Sequence, residues 1–239
     1  MEMWGHYKAW QMGANGICQK CRAASNVETN ALTAWLTPGQ SADCDVVFVG
    51  KVARGDSIGT TIGEALEDVS AFGNGHIRDS SWPYWAYTRQ IIQHVYESLD
   101  AGLNRVGFTN IVKCNDNSDK DNTSALTKEF CIKQNGFIWK EIAVFKPRLI
   151  VFYTNRDYDD FIESFLPNGT TLRRDLTDRG HRVPIGKKKM PWWEREFLDD
   201  AGKTLLKFLR IGHPERKLKT DFTASVAKWV AWNLRSFND

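Results

Sequence analysis

The chain has 239 residues, of which 42% are apolar and 26% charged, with 32 Lys+Arg against 29 Asp+Glu for a formal net charge of +3. These proportions describe ordinary globular material, long enough to bury a core, and they exclude collagen, coiled coil and bulk disorder. No apolar run approaches the ~18 residues a membrane span needs, the N-terminus MEMWGHYKAW carries no signal-peptide pattern, and a cytoplasmic protein without membrane contact is expected.

In chain order, a first strand is predicted at Asp45–Gly50 (DVVFVG) and a helix at Ile62–Ser70. A helix over roughly Tyr84–Leu99 precedes a strand at Arg105–Val112 (RVGFTNIV). The next helix, Ala125–Phe145, is stopped by Pro147 just before a strand at Arg148–Thr154 (RLIVFYT). A helix at Asp157–Phe165, a strand at Leu206–Gly212 (LKFLRIG) and a helix at Asp221–Phe237 complete the series. The first three strands are almost continuously apolar, as strands buried on both faces of a parallel sheet are. Alternating strands and helices predict an α/β protein with helices on both faces of the sheet and no internal repeat.

Open α/β sheets bind ligands at the carboxyl ends of their strands. After the first strand comes Lys51-Val-Ala-Arg-Gly-Asp56; Asn110 ends the second, Thr154-Asn155 the third, and His213-Pro214 follow the fourth. A basic loop, a carboxylate, an amide and an imidazole therefore converge on one rim. Singly, such residues often do no more than cap turns; together they point to a site.

Four of the five cysteines fall into two groups, Cys18-x2-Cys21 and the pair Cys114 and Cys131. A CxxC pair holds two thiolates within reach of one metal or cluster, and the second pair completes four sulfur ligands for zinc or an iron–sulfur cluster. Spacing alone favours zinc, because short Cys pairs are commonest in zinc sites; four unrelated buried thiols are the bland alternative. Cys44 lies outside the pattern and reads as a buried free thiol.

The order CxxC, VGKVARGD, PYWAYTRQII, FTNIVKC, a later Cys, KPRLIVF and GHPERK resembles the uracil-DNA glycosylase superfamily, most closely its iron–sulfur (family 4) branch. The likeness runs from Cys18 to about Lys217. It implies a single domain over residues 1–239, a three-layer α/β/α fold on a central, mainly parallel four-stranded sheet, and a monomer acting on DNA. It also implies that Cys18, Cys21, Cys114 and Cys131 hold a 4Fe–4S cluster, with zinc the lesser alternative. That cluster would pin the N-terminal segment to the loop after the second strand. By the same resemblance Asn110 reads the Watson–Crick edge of a flipped base, Tyr84 stacks on it, and His213 stabilises charge on the leaving base.

The first motif departs from the family. Lys51 stands in place of a glutamate, Val52-Ala53 replace Ala-Pro, and Arg54 replaces a glycine. Asp56 is the nearest carboxylate and is expected to substitute as the catalytic acid group, with Lys51 and Arg54 contacting substrate; pairing of Asp56 with either base is its structural alternative. The stretch Ser57–Ser81 is longer than the family has and is expected over the pocket mouth. A rewritten motif and an added lid point either to a pocket for a pyrimidine bulkier than uracil, such as hydroxymethylated or glucosylated cytosine of phage DNA excised in antiviral defence, or to a non-catalytic DNA-binding protein on the same fold. Uracil excision in DNA repair is a third possibility, and a zinc or redox protein with a chance resemblance a fourth.

Basic residues crowd positions 173–189 (Arg173, Arg174, Arg179, Arg182, Lys187, Lys188, Lys189) and 216–219, which suits contacts to phosphates. Lys187, Lys188, Arg216 and Lys217 are expected on DNA, and Arg216 or Leu218 in the gap left by a flipped nucleotide. Trp192 and Trp193 read as core aromatics.

Overall fold

The computed structural model describes residues 3–10, 18–24, 44–52, 75–114, 123–215 and 219–237. The predicted helix Ile62–Ser70, most of Ser57–Ser81, and Arg54, Asp56, Arg216, Lys217 and Leu218 lie outside them.

The protein is α/β, as expected, but its sheet is mixed and has seven strands rather than a mainly parallel four. The strands are β1 (Val46–Val52), β2 (Val106–Val112), β3 (Leu149–Phe152), β4 (Leu172–Asp175), β5 (Arg182–Ile185), β6 (Lys188–Leu198) and β7 (Thr204–Ile211). Their order is β2-β1-β3-β7-β6-β4, with β5 paired to β6. The four predicted strands form the parallel half, β2-β1-β3-β7. β6 then runs antiparallel to β7, and β4 and β5 antiparallel to β6. The basic segment 173–189, for which no strand was predicted, thus contributes to three of them.

Helices cover both faces. On one face α1 (Met3–Ala9), α6 (Phe137–Phe145) and α7 (Asp159–Glu163) pack on Val47, Val49, Ile150 and Phe152. On the other, α3 (Pro83–Tyr96) and α8 (Lys219–Arg235) pack on Val46, Phe48, Phe108 and Val151. Alternate residues of β1 thus serve opposite cores, so the apolar run in the sequence has no polar face. Val46, Val47, Phe48 and Val49 are essentially inaccessible to water; burying each such side chain contributes ~1.5–3 kcal/mol.

Local chemistry sets the helix ends. Pro83 occupies the first turn of α3, where its missing N–H costs nothing, and Glu97 closes it at φ 66°. Ser98 then caps α4 (Leu99–Leu103) by accepting the Ala101 N–H. The long helix predicted at Ala125–Phe145 is broken: α5 (Ala125–Lys128) runs into a π turn at Glu129–Gln134, and Gly136 at φ 61° separates it from α6. Ahead of β1 lies the short α2 (Gln19–Ala24).

A charged network sits inside the antiparallel half. Arg210 is fully buried and donates to Asp159 Oδ2 at 2.7 Å and to the Arg179 carbonyl at 3.0 Å. Arg195 bonds Asp175 and Glu163, and Arg179, Arg195 and Arg210 all lie over the Trp193 ring. Burial raises the Asp159 carboxyl to about 6 despite its arginine partner. Trp192 and Trp193 are core residues, as expected.

Candidate functional site

Of the residues predicted at the rim, the structure brings Asn110 to Gly50 and His213 to Asn155 and Tyr84, while Arg54 and Asp56 lie outside the described residues. Gly50 of β1 lies opposite Asn110 of β2 in the sheet register. The Asn110 amide lies directly over it: a Cβ on Gly50 would stand 2.3 Å from Asn110 Oδ1 and 3.4 Å from Tyr84 Cε2. A side chain at position 50 would therefore have to push the Asn110 amide aside. Tyr84, in the first turn of α3, meets Tyr153 edge-on at 5.7 Å and runs near-parallel (18°) to the His213 ring with centroids 6.4 Å apart. Burial, with the Tyr153 phenol beside it, pushes the Tyr84 hydroxyl above its usual pKa, so the ring stays neutral at physiological pH. Gly50→Ala should displace the Asn110 amide while the fold persists; the NMR shift of the Asn110 side-chain amide beside a thermal melt would check it.

His213 lies in the turn after β7. Its backbone N–H donates to Asn155 Oδ1 at 3.1 Å, and the Glu215 N–H donates to its Nδ1 at 3.2 Å. An Nδ1 that accepts a proton bond leaves the ring proton on Nε2. The imidazole is thereby set up as a neutral Nε2–H donor.

Lys51 does not open a loop. β1 continues to Val52, which pairs with Val112, so Lys51 is a half-buried strand residue beside Gly50. His76, from the end of the long Ser57–Ser81 stretch, stacks on Trp82 at 5.4 Å and on Trp85 at 6.1 Å, and Trp85 meets Tyr84 edge-on at 4.8 Å. The described end of that stretch therefore packs, through Trp85, beside Tyr84.

The four paired cysteines line one cavity, with Lys113 and Phe137 among its walls. Cys18, Cys21 and Cys131 are buried and Cys114 half-buried; Cys44 is a separate buried thiol. Cys131 projects from the π turn, a geometry that often marks functional positions in helices. Its thiol is pushed up to about 12 by burial, with the Lys113 N–H, 3.4 Å from the sulfur, acting against that rise. Four soft donors, an N–H directed at a sulfur and a phenyl wall fit a thiolate-ligated centre. Among the described residues, no three His, Cys, Asp or Glu side chains close on one point as a single ion requires.

Behind the cavity is a network that the motifs did not reveal. Lys113 and Glu141 form an ion pair whose side chains are 1% and 0% exposed. Tyr7 and Thr109 each donate to Glu141 at 2.6 Å, and Lys113 Nζ also reaches Thr109 Oγ1 and the Asn110 carbonyl, both at 2.6 Å. Glu141 falls on the buried stripe Phe137, Ile138, Glu141, Ile142, Phe145 of α6. A lone acid on such a stripe is the sequence signal for a buried partner. β2 thus presents Asn110 to one face and Thr109 with Lys113 to the other, so the Asn110 amide and the cysteine cavity lie on opposite sides of the same strand end.

Of the expected DNA contacts, Lys187 and Lys188 are exposed at the tip of the β5–β6 hairpin. Arg173, Arg174 and Arg179, by contrast, are engaged with Glu163, Glu196 and Asp160. No described helix is long and apolar enough to cross a membrane. Comparison of the sequence with protein-family models and with curated proteins gives no match, so the residues and their geometry carry the functional reading.

Proposed function

We propose that this chain is a DNA glycosylase that flips a uracil or bulkier modified pyrimidine into the pocket at Gly50, hydrolyses its N-glycosidic bond and leaves an abasic site. The observation that carries this reading is the approach of Asn110 and Tyr84, from β2 and α3, to Gly50, with the His213 ring from the turn after β7 lying near-parallel to Tyr84. Among the described residues the Asn110 amide makes no side-chain hydrogen bond, leaving its donor and acceptor for a base edge. The Tyr84 face suits stacking on a planar base. As the C1′–N bond breaks, its electron pair leaves on the pyrimidine, and the Nε2–H of His213 is the donor for that charge. A water oxygen then bonds C1′, and its proton passes to the departing base or to solvent. Asp56 is the carboxylate we assign to the water and the sugar cation.

Cys18, Cys21, Cys114 and Cys131 would hold a 4Fe–4S cluster. When bound, it supplies iron–thiolate bonds that staple the N-terminal segment to the end of β2. The β5–β6 hairpin supports a DNA partner. Trp192 pairs with Ile211 at the carboxyl end of β7, so Lys187 sits about 16 Å beyond that end, on the pocket side of the sheet. Basic side chains there can neutralise phosphates flanking a flipped nucleotide. The replacement of the motif carboxylate by strand residue Lys51 favours a base other than plain uracil; hydroxymethylated or glucosylated cytosine of phage DNA is the substrate class proposed, with antiviral defence as its use.

The test offers DNAs carrying uracil, hydroxymethylcytosine or glucosyl-hydroxymethylcytosine and reads alkali-sensitive breaks at abasic sites. Breaks with at least one of these are expected, in protein carrying about four irons per chain. DNA retention without breaks would replace this reading with a non-catalytic DNA-binding protein, and stoichiometric zinc would replace the cluster.

A further inference from the structure

Three non-glycine residues among those described have positive φ: Glu97, Lys146 and Asn155. The first two end helices, where a left-handed residue is an ordinary stop. Asn155 is different. It follows β3, and its φ of 57° with ψ of −165° lies in a region that essentially only glycine occupies without strain. Such strain persists where surrounding bonds hold it, and it gathers at functional sites.

The bonds holding Asn155 identify what the strain serves. Its backbone N–H donates to the Ile211 carbonyl at 3.2 Å, and its side-chain Oδ1 accepts the His213 N–H at 3.1 Å. One residue thus grips both sides of Gly212, where the chain leaves β7 and turns into the His213 loop. The preceding residues are fixed in turn: the Tyr153 N–H donates to the Val49 carbonyl at 2.9 Å, and Thr154 is fully buried. Tyr153 also abuts Tyr84. A relaxed backbone at Asn155 would carry its side chain away from the His213 amide. A glycine would relax it and have no side chain to offer.

We infer that Asn155 is a positioning residue, held in a strained conformation so that its carboxamide clamps the turn carrying His213 against the end of β3. The clamp is a feature of the fold; its effect on rate rests on the glycosylase reading above. Asn155→Gly removes the strain and the clamp together, whereas Asn155→Asp keeps an acceptor in the same place. In Asn155→Gly the urea midpoint should hold or rise, the His213 amide should lose its protection from hydrogen exchange, and kcat should fall at least about tenfold with KM unchanged. Asn155→Asp should restore both the protection and most of the rate.

An Asn155→Gly protein that keeps His213 amide protection, or loses it at full rate, overturns the inference, as does one whose midpoint falls as far as that of a core deletion. If the parent protein releases no base from any DNA, the glycosylase reading fails on its own; amide protection in the two variants still decides whether the clamp exists.

Discussion

His213→Ala should slow base release by about a hundred- to a thousandfold, the usual loss when one preorganised donor to a developing negative charge is removed, equivalent to ~3–4 kcal/mol in the barrier. The bond from the Glu215 N–H to Nδ1 leaves Nε2–H as the donor, so an alanine deletes the only part of residue 213 that can meet an anionic pyrimidine. The backbone remains. The 213 N–H can still donate to Asn155, and the ring's loss opens a half-buried position rather than a sealed core. Stability and iron content should therefore match the parent, and DNA affinity should change little, because phosphate contacts dominate it. Single-turnover kinetics with protein in excess isolates the step. Release within threefold of the parent would remove His213 from the chemistry and leave Asn110 and Tyr84 as a binding pocket.

Glu141→Ala should be the most damaging change to stability. It strands the Lys113 ammonium, 1% exposed, among Thr109 and the Asn110 carbonyl with no counter-charge, and it removes the acceptor for Tyr7. Breaking one side of a buried pair costs about 3–5 kcal/mol, a large part of the ~5–15 kcal/mol that keeps a domain folded. The double change Lys113→Met with Glu141→Leu deletes both charges with similar volume and should recover most of that loss. Urea midpoints of the three proteins make the comparison. A single Glu141→Ala that unfolds with the parent would mean the pair contributes nothing to stability and overturn this expectation. The double variant carries a second expectation: restored stability with slower base release, since nothing then holds the Asn110 carbonyl from behind.

The parallel half of the sheet was legible because its strands are apolar on both faces, a pattern helices of that length do not share. The antiparallel half was not. β4, β5 and the start of β6 are rich in Arg and Lys, with burial mostly confined to alternate positions such as Ile185 and Met190, and their charges are met by acids distant in sequence. Basic density there reads as phosphate-contacting; in the fold Arg174 and Arg179 pair with Glu196, Asp160 and Glu163 at the surface, and Arg195 is buried against Asp175 and Glu163. The π turn was equally hidden, since Glu129–Gln134 has ordinary helical composition and only tertiary packing around Cys131 selects the wider turn. At the site, Asn110, Tyr84, His213 and the cysteines could be read from motifs. The approach of the Asn110 amide to Gly50 and Asn155's grip on residue 213 could not, because both depend on distances between segments that no local pattern encodes.

The bond from Tyr7 to Glu141 spans 134 residues. During synthesis at about 5–20 residues per second, α1 waits some ~7–27 s for its anchor to be made. Cys18 and Cys21 wait with it, since Cys131 emerges only shortly before Glu141. The described N-terminal helices are thus made well before the residues they dock against, and for that interval Cys18 and Cys21 have no cavity to close on. The order of synthesis sets the earliest moment at which the cysteine cavity can close.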